Sequence, residues 1–186
     1  PEGDGGYVIP YGDHPLDGEP VGEWVYTHIL NQARDYVHIM TPYLILDGEL
    51  EAALRFAARR GVEVTLILPH IPDKKIPFAL AKTHFLPLME AGVRIYEYTP
   101  GFLHAKVFVS DGLRGTVGTV NLDYRSLYHH FECGAYLCGG PCVARLEADF
   151  QATLAQSRRV TRQEAARPGL LWRLLGMLAK VLAPLM

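Results

Sequence analysis

His104 and Lys106 stand two residues apart in an apolar run, Gly101-Phe-Leu-His-Ala-Lys-Val-Phe-Val-Ser-Asp111, which spells H-x-K-x4-D. After six further residues comes Gly118-Thr119-Val120-Asn121. An imidazole near neutral pH serves as nucleophile or as acid and base, and a neighbouring ammonium holds an anion. Together they are suited to a phosphoryl group. H-x-K-x4-D alone arises by accident at roughly the one-in-a-hundred level, and the added G-T-x-N makes chance remote.

The spacing predicts how these groups are presented. Between residues 102 and 110, Leu103, Ala105, Val107 and Val109 alternate with Phe102, His104, Lys106 and Phe108, the pattern of a strand. His104 and Lys106 then share a face, roughly 7 Å apart. Asp111-Gly112 suits a tight turn with positive φ. A returning strand over Thr116 to Asn121 puts Thr119 and Asn121 on one face near its end, in reach of a bound phosphate. A third apolar run, Phe131 to Leu137, brings in Glu132. Asp111 has two readings that weigh evenly, a chemical residue or a residue that serves only its turn.

Around this region helices and strands alternate. Residues 1 to 20 read as a Gly-, Pro- and Asp-rich loop, and Val21 to Arg34 as an amphipathic helix. Tyr36 to Met40 is a short strand running into Thr41-Pro42-Tyr43. A helix follows with Asp47 as N-cap, Glu49 and Glu51 in its first turn, and Arg59-Arg60 before Gly61, charges that complement its dipole. Val62 to Leu68 is a buried strand, 76 to 91 a helix, Val93 to Tyr98 a strand, and Pro141 to Arg158 a closing helix. The fold class is α/β, a mixed β-sheet sandwiched between helices. Residues 1–167 form one domain. Residues 168–186, with Leu170, Leu171, Trp172, Leu174, Leu175, Met177, Leu178, Val181 and Leu182 against Arg173 and Lys180, form a C-terminal amphipathic helix. It suits either packing on the domain or a partner, or an interfacial position at a membrane.

With 186 residues and 49% hydrophobic content the chain can bury one sizeable core. A net charge of −2 with interspersed signs offers no basic surface, which argues against nucleic acid as partner. Cys133, Cys138 and Cys142 form a C-x4-C-x3-C run near His129 and His130. Cys133 and Cys138 have opposite parity on the expected strand, so buried free thiols are favoured over a metal site. Without a disulfide framework, a reducing compartment is favoured. The chain starts at Pro1 with no signal peptide or membrane span, and reads as a fragment of a longer protein.

The H-x-K-x4-D and G-T-x-N motifs resemble those of the phospholipase D superfamily. Thr41-Pro42-Tyr43, Tyr96-Glu97-Tyr98 and Asn121-Leu122-Asp123-Tyr124-Arg125-Ser126 bring the likeness closest to the C-terminal half of bacterial cardiolipin synthases, over nearly the whole chain. The resemblance implies a phospholipase D-like fold and half of a catalytic unit, the N-terminal half of the parent enzyme carrying a second HxK motif. It implies exchange of phosphodiesters without metal or other cofactor, through a phosphohistidine. His104, Lys106 and Asp111 would be the catalytic set, and Lys106, Thr119 and Asn121 the phosphate-binding one. Glu132 would orient His104 through its far ring nitrogen. The implied reaction converts two phosphatidylglycerol molecules to cardiolipin and glycerol at the cytoplasmic face of a bacterial cell membrane. A phospholipase or nuclease of the same superfamily, and an inactive isolated half, are the alternatives. A homodimer would be a way to rebuild a two-histidine site. Thr119 stands where serine is commoner, and His130 where asparagine is often found. Asp123 and Arg125 are expected to form a salt bridge shaping their loop.

Overall fold

The computed structural model describes residues 5–185. Residues 1–4 of the expected leading loop and Met186 of the last helix lie outside the described residues. In chain order the elements are β1 (Tyr7–Asp13), α1 (Val21–Gln32), β2 (Tyr36–Met40), α2 (Gly48–Arg59), β3 (Glu63–Pro69), α3 (Lys75–Ala91) and β4 (Arg94–Tyr98). They continue as β5 (Val107–Ser110), β6 (Arg114–Gly118), α4 (Tyr124–Tyr128), β7 (Glu132–Cys138), α5 (Gly140–Leu154), β8 (Ser157–Arg159), α6 (Arg162–Ala166) and α7 (Leu170–Leu182).

The strands form one eight-stranded sheet in the order β1-β7-β6-β5-β2-β3-β4-β8. The neighbours β2, β3 and β4 are parallel and every other pair is antiparallel, so the sheet is mixed. Alternation decides which side each residue serves. Ile39, Leu66, Ile95 and Phe108 join the larger core beneath α1, α2 and α3. Met40, Ile67 and Val107 pack on Phe150 of α5 across the sheet. Both faces are thus covered by helices, which is why the central strands read as nearly continuous apolar runs. Asp47 caps α2 as expected, accepting from the Leu50 N–H at 2.7 Å.

Three expectations change. Residues 7 to 13 form a strand, not a loop, paired along their whole length with β7. Pro10 is tolerated because β1 is the sheet edge and one side of the strand needs no donor. The closing helix ends at Leu154, and Arg158 sits in β8 on the open edge of β4. Asp123 and Arg125 form no ion pair among the described residues. The Asp123 carboxylate instead caps α4, accepting from the Ser126 N–H at 2.8 Å. Among the described residues no helix is long and apolar enough to cross a membrane.

A carboxyl pair joins α1 to the α2 start. The Tyr128 hydroxyl hydrogen-bonds Glu23 Oε2 at 3.0 Å and also contacts Asp47 Oδ2. Burial, reinforced by the Asp47 charge and only partly offset by Tyr128, pushes the Glu23 carboxyl from 4.5 up to about 7. A raised carboxyl pKa favours the folded state fully below the unfolded value, and that contribution is lost as pH rises through about 7. Glu23→Gln is therefore expected to be more stable than the parent chain at about pH 8, by about 1–2 kcal/mol, with the difference gone only below about pH 4. Urea melts at the two pH values check this, and an equal difference at both would refute it.

Candidate active site

The carboxyl ends of parallel strands β2, β3 and β4 open on one edge of the sheet, where α/β proteins bind ligands. The antiparallel neighbours add their own ends to it. Val107 at the start of β5 pairs with Met40 at the end of β2, and Gly118 at the end of β6 pairs with Gly134 near the start of β7. His104 and Lys106 lead into β5, Thr119 and Asn121 follow β6, and Glu132 opens β7. Five of the six candidate residues therefore meet at this edge.

His104 and Lys106 do not lie on a strand, as their alternation suggested. Beyond Met40 the partner chain turns away through Thr41-Pro42, and a proline has no N–H to continue a ladder. Residues 102 to 106 run as an irregular lead-in. His104 is exposed and stacks on Phe102, ring centroids 5.6 Å apart. Lys106 is only 9% exposed, and its Nζ donates to the His104 carbonyl at 2.7 Å. Burial draws the Lys106 ammonium pKa below its usual value, against the opposing pull of Glu132 and Asp123. The lysine thus braces the histidine's own backbone while carrying its charge at the same edge.

The second strand also ends early, at Gly118. A Cβ at that position would collide with the Cys133 carbonyl and Gly134 Cα, so the close approach of β6 to β7 admits only glycine. The chain then leaves for the segment after β2. Leu122 bridges Leu44, the Ile45 N–H donates to the Leu122 carbonyl at 2.8 Å, and the Leu122 N–H reaches the Thr41 hydroxyl at 3.4 Å. From below, the buried Tyr26 hydroxyl donates to the Val120 carbonyl at 2.5 Å. Thr41 and Tyr26 are the positioning residues that motif reading left without a role. Their signal is long-range contact, which local spacing does not carry.

Within this pinned loop Asn121 Nδ2 donates to Ser126 Oγ at 3.0 Å, and Asn121 Oδ1 is buried with no partner among the described residues. The Thr119 hydroxyl donates to Glu132 Oε2 and accepts from the Cys133 N–H at 3.0 Å. His130 Nδ1 stands 3.5 Å from Glu132 Oε1. No Glu132–His104 hydrogen bond occurs among the described residues. Glu132 opens β7 and His104 leads into β5, strands separated by β6, about 10 Å of sheet, and the carboxylate serves Thr119 and His130 instead.

Asp111 is placed apart, at the opposite end of β5. It is the one non-glycine residue with positive φ among those described, 55°, followed by Gly112 at 63°, and the Leu113 N–H closes the turn on the Ser110 carbonyl at 2.9 Å. Its carboxylate accepts from the N–H groups of Arg34, Asp35 and Tyr36 at 2.9, 3.0 and 2.9 Å. Burial opposes its ionisation, but these three donors outweigh it and hold the carboxyl below its ordinary range. Asp111 fastens the start of β2 to the turn. Asp111→Ala is expected to cost about 2–4 kcal/mol through the orphaned N–H groups and the strained φ. Asp111→Asn, which keeps the turn and one acceptor, should cost less than half of that. Thermal melts of both variants check the order, and equal losses would overturn this role.

Residues 26–154 match the protein family described as "Cardiolipin synthase, PLD-like domain". The chain belongs to this phospholipase D-like family. The domain is 62% identical over 181 residues to an uncharacterized protein of Streptococcus mutans, covering 97% of this chain and 39% of that one. It is 34% identical over 176 residues to a cardiolipin synthase of Geobacillus sp., covering 92% and 35%, and 33% identical over 185 residues to one of Geobacillus kaustophilus, covering 100% and 37%. The domain thus spans less than two fifths of the length of these curated relatives. In fold it is similar to phosphatidylserine synthase of Haemophilus influenzae, with a TM-score of 0.79 at 14% identity over 100% of this chain and 49% of that one. It is also similar to Nuc of Salmonella typhimurium, a phospholipase D family member, with a TM-score of 0.69 at 16% identity, covering 83% and 98%. The phospholipase D-like domain therefore sets its H-x-K residues at the opening of the sheet edge, backed by the loop that follows β6.

Proposed function

We propose that the chain is one catalytic half of a cardiolipin synthase, transferring a phosphatidyl group between two phosphatidylglycerol molecules. The observation that carries this reading is the convergence of His104, Lys106, Thr119, Asn121 and Glu132 on one sheet edge, with the His104 ring exposed. One histidine attacks phosphorus and forms an N–P bond while the glycerol oxygen leaves. The other gives that oxygen its proton; His104 is one of this pair, and the N-terminal half of the parent protein supplies its counterpart. The same acid/base histidine then takes a proton from the incoming hydroxyl of another phosphatidylglycerol, whose oxygen displaces the enzyme nitrogen and releases cardiolipin. Splitting one difficult displacement in two is the logic of covalent catalysis.

Lys106 supplies fixed positive charge for the phosphoryl oxygens as the transition state forms. Turning the Asn121 amide over would let Ser126 donate to Oδ1 and free Nδ2 to donate to the same oxygens, which also removes the orphan acceptor. Glu132 holds the Thr119 hydroxyl in register with them. Asp111 enters this scheme as a fastener of the site-bearing strand, not as a reacting group. In this reading the full-length protein works at the cytoplasmic face of a bacterial cell membrane. A homodimer of the chain is the remaining way to bring two histidines together. A nuclease role is disfavoured by the net charge of −2, since nonspecific nucleic-acid binding needs clustered cations.

The test is an assay of the full-length protein on labelled phosphatidylglycerol in mixed micelles containing EDTA, resolving cardiolipin from phosphatidic acid. Cardiolipin with glycerol is expected. Phosphatidic acid alone would make water the acceptor and the protein a phospholipase, and neither product would remove the lipid reading.

A further inference from the structure

Helix α7 has two unlike faces. Its inner face meets α3 through Trp172, whose ring centroid lies 5.5 Å from that of Phe78, and then through two small buried residues, Gly176 and Ala179. A Cβ at Gly176 would stand 2.7 Å from the Ala79 carbonyl oxygen and from Thr83 Cγ2, so the two helices touch backbone to backbone. Its outer face carries Leu174, Met177, Leu178 and Val181, spaced i, i+3, i+4 and i+7, all exposed, Leu178 by 70% and Val181 by 81%. The tight contact at Gly176 leaves no room to rotate these large side chains inward. A helix that merely packed on its domain would turn its leucines to the core and its small residues outward. Here the tight contact is made by Gly176 and Ala179, while Leu174, Met177, Leu178 and Val181 stand in water.

The stripe adjoins the candidate site. Ala179 and Ala183 pack with Ile45, Leu80 and Tyr124, beside the loop that holds Asn121, and a His129 ring nitrogen lies 2.9 Å from the Pro184 carbonyl oxygen. Ile71, Ile76, Phe102 and Phe131, exposed large apolar residues, come from the same edge of the sheet. From Arg167 to the end of the chain the charged residues are Arg167, Arg173 and Lys180, all cations with no acid. An apolar stripe accompanied only by cations complements a surface that is apolar beneath an anionic layer. It does not complement itself, because a two-fold contact between copies would bring cation against cation.

We propose that α7 is an interfacial helix that seats the domain on an anionic bilayer, with the His104 edge turned toward the same membrane. A lipid phosphodiester then reaches the histidine from the membrane plane without leaving it for water. The purpose of the seat rests on the lipid-transfer reading above, while the binding itself does not.

The whole chain is mixed with phosphatidylcholine vesicles with and without phosphatidylserine, a lipid outside the proposed reaction, and the bound fraction is read by co-sedimentation. Binding is expected only to the anionic vesicles. The double variant Leu178→Gln, Val181→Gln is expected to weaken it on the order of a hundredfold with an unchanged thermal midpoint, since both side chains are already in water. Lys180→Gln, which removes one cation, should weaken it by about fivefold, a difference that added salt should shrink. No binding to the phosphatidylserine vesicles, or an undiminished double variant, would overturn the proposal. So would a dimer of the parent chain that the double variant dissolves, which would make a second copy the occupant. Failure of the transfer reaction in mixed micelles leaves these results standing, and failure here leaves that reaction standing, so the two proposals are separable.

Discussion

His104→Ala in the full-length protein is expected to remove transfer from phosphatidylglycerol by a factor of about 10⁴ or more, with folding intact. That magnitude follows from losing a group that either forms the covalent intermediate or moves its proton. Folding should survive because the ring is exposed and touches Phe102 alone among described aromatic partners, so no core contact is lost. Lys106→Gln is a useful companion. It also removes charge at the site, but Lys106 is buried and braces the His104 carbonyl, so its loss is expected in both rate and stability. Single-turnover kinetics and a thermal melt on each variant separate the two. Transfer within tenfold of the parent in folded His104→Ala would end the catalytic assignment.

Glu97→Ala is expected to destabilise the domain by about 3–5 kcal/mol, lowering the thermal midpoint by roughly 10 °C. Glu97, on β4, is 1% exposed and its carboxylate meets His70 Nδ1 at 2.9 Å, Lys82 Nζ at 3.4 Å and an Arg158 nitrogen at 2.6 Å. Arg158 continues to Glu164 at 2.7 Å, so one carboxylate ties β8 and α6 to the sheet and to α3. Removing it leaves the cations facing one another around a void. Burial opposes ionisation of Glu97, but His70, Lys82 and Arg158 together outweigh it and keep its carboxyl below the usual value of 4.5. A lowered carboxyl pKa stabilises the fold above the unfolded value, and that contribution is lost as pH falls through the folded one. The parent chain should therefore lose stability in acid, and Glu97→Ala should lose less of it over the same range. Urea melts across that range decide the point, and a loss below about 1 kcal/mol at neutral pH would refute the clamp.

The motif residues show what local pattern carries and where it stops. The alternation of Leu103, Ala105, Val107 and Val109 gave the correct packing side for β5, since Leu103, Val107 and Val109 all lie on the α5 side. It overran the strand by treating His104 and Lys106 as part of it, because alternation cannot see that the partner strand ends at Met40 before a proline. Asp111-Gly112 was legible as a turn from residue type alone. That its carboxylate would collect three N–H groups from residues 34 to 36, on the far side of the sequence, was not. Residues 7 to 13 were obscured by glycine and proline, and became a strand only because β7 offered an unpaired edge.

Residue type and spacing along the chain fixed the family, the α/β class, the helix caps and the identity of the groups able to work on a phosphate. These depend on interactions within a few residues, or on motifs too improbable for chance. The tertiary structure alone decided that Asp111 stands at the opposite end of the strand from His104, and that Glu132 serves Thr119 and His130. It alone decided that α7 makes its tightest contact through Gly176 and leaves Leu174, Met177, Leu178 and Val181 in water. Each of these turns on which strand or helix lies beside which, and that order is set by burying both faces of one sheet at once, a condition no single segment contains.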